Sequence, residues 1–414
     1  MRRVVVTGMG AVSPCGATMA ATWDALVHAR SGVAPVEGFD VSDLRCHVAG
    51  QCRDFDPKAF FDKSTLRHTS RFIHLGVAAA QMAVDEAGLD FEREVRARVG
   101  VMLGVGMAPS QNTVDAHEMV KEKGAARLWP FFIPATISNM VVGHVSMRFG
   151  LHGPSFSPAS ACSSGAHAIG TSFDLIRAGR ADVMLAGGCE GNCNRITMCG
   201  FDALRALATD DDPPERASRP FDASRSGFVL SEGGAVLVLE EYEHAKRRGA
   251  AILCELVGYG ATTDGYHMTH PAPGHAGLVA AMQLALDDAE LAPDAVGYVN
   301  AHATATLAGD VLEAQAIANV FGEHARSKRL LVSSTKSMHG HLLGGAAAIE
   351  AAISVRALIE GVVPPTANLE RVDPEIEGLL DLVPNEARSR ELRAVMSNST
   401  GFGGQNAVLV FSRI

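Results

Sequence analysis

A chain of 414 residues, 47% hydrophobic and 20% charged, is long enough to bury a large core and exceeds most single domains. A formal net charge of −10, without a run of lysine and arginine, argues against a nucleic-acid partner. The opening apolar stretch breaks at Gly8, Gly10, Ser13 and Pro14, and the later one over 344–358 is short and carries Glu350 and Arg356. Neither a secretory signal nor a membrane span is expected, and the chain reads as soluble and cytoplasmic.

In chain order, Val4-Val5-Val6-Thr7 predicts a strand entering the glycine turn Gly8-Met9-Gly10. Residues 70–87 place Phe72, Leu75, Ala79 and Met82 at helical spacing, the pattern of one buried face. Val99–Gly104 reads as a strand, residues 158–161 as a strand end, and 163–177 as a helix. The acidic stretch 209–215 is a surface turn, and residues 235–239 a strand. Leu278, Met282, Leu286 and Ala289 mark a second buried helical face, and 296–299 and 407–411 two more strands.

Three of these segments recur. Residues 255–261 repeat the grammar of 4–11, residues 296–301 resemble 99–104, and residues 407–411 return 235–239 in the same order. The pattern predicts an α/β fold of two duplicated halves, 1–250 and 251–414, with the joint after Lys246-Arg247-Arg248. Neither Gly8-Met9-Gly10-Ala11-Val12-Ser13 nor Gly104-Val105-Gly106-Met107-Ala108-Pro109 completes a dinucleotide fingerprint. The eight cysteines form no CxxC pair. The group Cys189, Cys193 and Cys199 lacks a nearby histidine or a matching second half, so reduced thiols are expected rather than a metal site.

Three polar islands interrupt the pattern. Cys162 stands in Ser160-Ala161-Cys162-Ser163-Ser164-Gly165, ahead of a helix whose N-terminus favours a thiolate. His302 follows a strand in Asn300-Ala301-His302-Ala303-Thr304-Ala305-Thr306. His341 ends Ser333-Ser334-Thr335-Lys336-Ser337-Met338-His339-Gly340-His341, again before a helix. Taken singly, a buried structural cysteine and satisfied core histidines are the default readings. The spacing 341 − 162 = 179 falls between the repeat offsets 407 − 235 = 172 and 296 − 99 = 197, so Cys162 and His341 are expected at equivalent corners of the two halves. Helix N-termini would keep both imidazoles neutral, and two ring N–H groups aimed at one carbonyl oxygen stabilise an enolate. Lys336 would tune the local field, and the turn Gly401-Phe402-Gly403-Gly404 offers N–H groups for an oxyanion.

Together these islands resemble the β-ketoacyl-acyl-carrier-protein synthases, most closely the synthase II type, over residues 4–411. The resemblance implies a thiolase-like fold, five layers in the order α-β-α-β-α, and a homodimer. It implies a decarboxylating Claisen condensation in fatty acid elongation, with Cys162 as nucleophile and His302 and His341 stabilising the enolate. The N–H groups of Cys162 and Phe402 would hold the oxyanion, and Glu350 would accompany Lys336. Thr304 and Thr306 match threonines that contact phosphopantetheine, and Phe228 an aromatic near the pocket mouth. Met107 lies close to acyl-pocket positions, and Thr400 near the gate. The partner implied is acyl-carrier protein, which brings its own phosphopantetheine, so neither a resident cofactor nor a metal is implied. Lys63, Arg67, Arg71 and Arg205 are candidates for carrier docking, or an ordinary solvated face. Ala303, Thr400 and Gln405 depart from the family pattern, where glycine, phenylalanine and threonine are usual, and His339 adds an imidazole. A polyketide or aryl-polyene ketosynthase, and a non-catalytic partner subunit like a chain-length factor, are the alternatives.

Overall fold

The computed structural model describes residues 1–414. Its first half contributes strands β1 (Val4–Val12), β2 (Val99–Gly104), β3 (Ser155–Phe156), β4 (Val183–Glu190) and β5 (Gly233–Glu241). Its second half contributes β6 (Cys254–Thr263), β7 (Val296–Asn300), β8 (Leu331–Ser333), β9 (Ala394–Gly401) and β10 (Gln405–Ser412). The strand order is β8-β7-β9-β10-β6-β1-β5-β4-β2-β3. Read outward from the joint, each half gives its first, fifth, fourth, second and third strand. The pairings match as well: the inner contacts are antiparallel and the outer two parallel in both halves. All three sequence repeats therefore fall on topologically equivalent strands: β1 with β6, β2 with β7, β5 with β10. The halves join edge to edge through Val4, Val5 and Val6 against Leu256, Glu255 and Cys254.

Helices complete the layers. Helix α1 (Arg71–Ala87) covers the outer face of the first sheet, and its equivalent α3 (Ala276–Asp288) covers the second beside α4 (Leu307–Arg326). Between the sheets lie α2 (Ser164–Arg177) and α6 (Ala346–Glu360), which touch strands of both halves. This is the five-layer arrangement α-β-α-β-α that the family resemblance implies. The apolar stretch over 344–358 is explained by the same placement, because α6 is buried on almost every side. No helix is long and apolar enough to cross a membrane.

The predicted helices match α1, with Ser70 as N-cap, and α3 to within two residues. One local expectation fails. Residues 158–161 are not a strand end: β3 stops at Phe156, and the chain reaches Cys162 through a loop with Ala161 at φ +50°. That turn aims the following residue out of the sheet direction, which a continued strand would not.

The outer helices lie almost on the sheet backbone. A Cβ at Gly10 of β1 would strike the Ala79 carbonyl of α1, and one at Gly260 of β6 the Ala281 carbonyl of α3. Neither neighbour is a side chain that can swing away. Gly260→Ala is expected to cost ~1–3 kcal/mol by overpacking, read as a lower melting temperature. Gly143→Ala, in the helix Met140–Phe149 with its nearest obstacle at 3.9 Å, should leave the melting temperature equal or higher.

Candidate active site

Cys162 precedes α2, whose N-cap is Ser163. The small polar residues around it satisfy the turn rather than crowd the thiol. Ser164 Oγ donates to the Ala161 carbonyl at 2.6 Å and Ser163 Oγ to the Gln405 carbonyl at 2.7 Å. The second contact ties the nucleophile's loop to β10.

His302 follows β7 after a single residue, Ala301. Its own N–H and that of Ala303 donate to the two carboxylate oxygens of Glu313, at 2.8 and 2.7 Å, from helix α4. His341 comes from β8 through the short helix α5 (Lys336–His339) and Gly340, at φ +67°. The His341 N–H donates to the Val229 carbonyl at 2.8 Å, and its carbonyl accepts from Ser231 at 3.0 Å. Both histidine loops are thus fixed through the backbone, and the rings are left to the cavity.

There the expected meeting of equivalent corners occurs. Cys162 Sγ lies 3.0 Å from His341 Nε2, and the His302 and His341 rings stand edge to face with centroids 5.4 Å apart. Phe228 sets its ring against the other side of His341, 5.4 Å away. It is buried in the cavity wall, not at the mouth as the resemblance suggested, because it packs against Phe201 as well.

Electrostatics differ from the sequence expectation in cause. Burial, and then the Lys336 ammonium, hold His302 and His341 well below the ordinary histidine range. That direction favours neutral imidazoles, but neither ring sits on the first turn of a long helix. For Cys162 the direction itself reverses. Burial pushes the thiol up to about 12, although Lys336 and the Phe402 N–H both favour the thiolate. Desolvation of the charge outweighs the helix end and favours the protonated thiol.

Lys336 is 1% exposed and pairs with Glu350 of α6. Burial pushes the Glu350 carboxyl up to about 7 against the pull of that ammonium. Glu190 and Glu313, not singled out from the sequence, are buried carboxyls also raised to about 7. Glu190 ends β4 and accepts from the N–H groups of Gly106, Met107 and Gly344 at 3.0 to 3.2 Å. The signals were present in the sequence: Glu190 closes an otherwise apolar run, and Glu313 lies on the apolar face of a helix.

The cavity over Cys162 has a volume of about 430 Å³. Met107, Thr304, Thr306, Thr400 and Phe402 line it with the three central residues, and Arg205 sits on its exposed rim. Thr304 Oγ1 donates to Thr306 Oγ1 at 3.2 Å. Of the other cationic candidates, Lys63 and Arg67 are exposed on the short helix Lys63–His68, outside the cavity lining. Arg71 is not a free surface cation. Its guanidinium is bound to the Glu232 carboxylate at 2.7 Å and to the Cys52 carbonyl at 3.0 Å, which together anchor the start of α1.

Family models match both halves: Beta-ketoacyl synthase, N-terminal domain, over residues 1–245, and Beta-ketoacyl synthase, C-terminal domain, over residues 253–370. The chain is 47% identical over 414 residues to 3-oxoacyl-[acyl-carrier-protein] synthase 2 of Vibrio harveyi, covering 100% of this chain and 99% of that protein. Among solved structures it resembles a Beta-ketoacyl synthase from Burkholderia phymatum, with TM-score 0.91, 36% identity and 100% of both chains covered. It also resembles a type II polyketide ketosynthase, AntDE, solved with its acyl-carrier protein AntF, with TM-score 0.92, 30% identity and 100% of both chains covered.

A thiol held protonated by burial has a testable pH dependence. Iodoacetamide alkylation of Cys162, followed by peptide mass spectrometry, should accelerate ~10-fold per pH unit between about pH 6 and 9, as the thiolate fraction grows. A rate that levels off near neutrality would mean a preformed thiolate–imidazolium pair with His341 instead.

Proposed function

The chain belongs to the beta-ketoacyl synthase family, and from that premise we propose how its residues divide the reaction. It is an acyltransferase, a 3-oxoacyl-[acyl-carrier-protein] synthase of fatty acid elongation, and its partner is acyl-carrier protein. The observation that carries the division of labour is the 3.0 Å approach of Cys162 Sγ to His341 Nε2, with His302 beside them.

In the first half-reaction Cys162 sulfur attacks the carbonyl of an acyl thioester. A tetrahedral oxyanion forms, held by the N–H groups of Cys162 and Phe402, and its collapse expels the carrier's thiol. The proton of Cys162 leaves on that thiol, so charge balances. In the second, the malonyl carboxylate breaks its C–C bond, carbon dioxide departs, and the electron pair becomes an enolate. Its oxygen accepts from a ring N–H of each of His302 and His341. Neutral rings suit this role, because their hydrogen bonds strengthen only as charge develops. The enolate carbon then attacks the acyl-cysteine carbonyl, and collapse returns the Cys162 thiolate, which regains a proton from solvent. Lys336 biases the site electrostatically without touching the reacting atoms.

Every step is redox-neutral and uses groups this chain already supplies, so we assign it no resident cofactor or metal. Phosphopantetheine comes in on the carrier, past Arg205 and along Thr304 and Thr306, with Lys63 and Arg67 available to the carrier's acidic surface. Met107 and Thr400 shape the acyl end. The domain division near residue 250 is supported by the family models, which leave 246–252 unmatched. Eight unpaired cysteines suit a reducing cytoplasm. A homodimer is supported by β3, an edge strand at the sheet's end with Phe156 exposed, and by exposed Phe131, Ile133 and Met147 in the same half of the chain. Relatives named synthase 2 stand at 43–47% identity, against 30% for the type II polyketide ketosynthase, which favours elongation over a polyketide role. The intact set Cys162, His302 and His341 disfavours a non-catalytic subunit.

Intact mass spectrometry with acyl- and malonyl-carrier proteins tests the assignment. Cys162→Ala should form neither acyl-enzyme nor 3-oxoacyl product. His302→Ala and His341→Ala should still acylate but lose at least ~100-fold in condensation. Equal condensation by either histidine variant would remove it from the enolate site. Sedimentation should give twice the 43.5 kDa chain mass, and a monomer would refute the dimer.

A further inference from the structure

We propose that Cys162, His302 and His341 also form a three-ligand site for a thiophilic divalent cation of the zinc class, and that filling it switches the enzyme off. The binding claim stands on geometry; only the loss of activity rests on the function proposed above.

One ligand atom from each of the three residues lies within 4.8 Å of the other two. One pair, Cys162 Sγ and His341 Nε2, is 3.0 Å apart. Zinc bonds of about 2.3 Å to sulfur and 2.0–2.1 Å to nitrogen place tetrahedral ligand atoms ~3.5 Å from one another. One spacing lies below that value and none exceeds 4.8 Å, so small side-chain shifts complete the shell. Such softness and composition, one thiol and two imidazoles, select zinc-class ions over magnesium or calcium. The fourth position faces the cavity, where a water from solvent can complete the tetrahedron.

Protons balance simply. Cys162 releases its S–H proton to solvent as the metal–sulfur bond forms, and each ring donates a lone pair. For His341 that lone pair belongs to Nε2, so the ring proton must sit on Nδ1. His341 Nδ1 is buried without a protein hydrogen-bond partner, and so is His302 Nδ1. No hydrogen bond to protein at either Nδ1 therefore stands in the way of a ring proton placed there. Missing partners at both Nδ1 atoms also distinguish this from a dedicated metal site, whose histidines are normally braced by a carboxylate or carbonyl. With the Lys336 ammonium repelling a second cation nearby, binding should be reversible by a chelator. The metal form consumes the thiol and occupies ring nitrogens that condensation needs, so the two states exclude each other.

The test uses chelator-treated full-length protein, titrated with Zn²⁺ against a chromophoric chelator and separately with Co²⁺. One metal should bind per chain, with a thiolate-to-cobalt charge-transfer absorption. Zn²⁺ should protect Cys162 from iodoacetamide, as mapped by peptide mass spectrometry. Cys162→Ala should lose the absorption, and His302→Ala and His341→Ala should each weaken binding at least ~10-fold, with circular dichroism verifying the fold. The exposed pair His267 and His270, whose Nδ1 atoms lie 3.1 Å apart, is the competing chelator. The double variant His267→Ala/His270→Ala should retain the absorption and the protection. Metal binding that survives Cys162→Ala but vanishes with that double variant overturns the proposal. So does the absence of both absorption and protection with metal in excess. Acyl transfer by the metal-free protein is measured alongside, so failure of metal binding leaves the condensing reaction separately judged.

Discussion

A lysine ammonium buried beneath the active site governs its chemistry. Lys336 and its partner Glu350 are both essentially inaccessible to water, and burying two charges is repaid only by a close pair. Removing one partner from such a pair costs ~3–5 kcal/mol, because the other is stranded. The pair is also mechanical. Lys336 starts the turn that delivers His341, and Glu350 lies on α6 between the sheets, so the ion pair pins the histidine loop to the middle layer. Its field reaches the reacting groups as well. The same ammonium disfavours protonation of His302, His341 and His339 while favouring ionisation of Cys162 and Glu313.

Duplication explains how an active site arises at all between two similar halves. The third strand of each half runs into a middle-layer helix: β3 toward α2 and β8 toward α6. Those two corners face each other across the joint, one bearing Cys162 and the other His341. The loops after the second strands are equivalent too, and each is held by a buried carboxylate. Glu190 takes the N–H groups of Gly106 and Met107; Glu313 takes those of His302 and Ala303. The carboxylates come from different elements, a strand end and a helix, yet satisfy the same backbone need. Only the second-half loop points an imidazole inward, and so the symmetric scaffold becomes an asymmetric catalyst.

Much of this was legible in the sequence because repetition and side-chain type are local. The three recurring strand segments, the helices at 70–87 and 278–289, and the cysteine and histidine islands each carry their signal within a few residues. What could not be read was collective. The strand expectation at 158–161 failed because Ala161 in a left-handed turn has no compositional mark. The thiolate expected at Cys162 weighed the helix end but could not weigh burial, which depends on walls supplied by β9, β10 and the His341 loop. Arg71 looked like a surface cation because its partner, Glu232, lies 161 residues away. Glu190 and Glu313 escaped because a lone acid in an apolar run shows its purpose only once the N–H groups it serves are located.

The departures from the family pattern acquire different weights in the fold. His339 is not a third imidazole for the reaction. It is fully buried, with Nδ1 2.8 Å from the Gly340 carbonyl and Nε2 3.0 Å from Thr335 Oγ1. Thr335 in turn accepts from Asn300 Nδ2 at 3.3 Å, so the imidazole bridges the loops of His341 and His302. Ala303 leaves its neighbourhood intact too, since its N–H reaches Glu313 and its methyl is buried. Thr400 is the departure with room to matter. It lines the cavity two residues from Phe402, whose ring is 40% exposed and finds its aromatic neighbour, Phe201, only at 6.5 Å. A small hydroxyl beside a lightly braced phenyl ring gives that ring less to pack against than an aromatic would. The difference falls on how the Phe402 ring packs, and not on the contact between Cys162 Sγ and His341 Nε2.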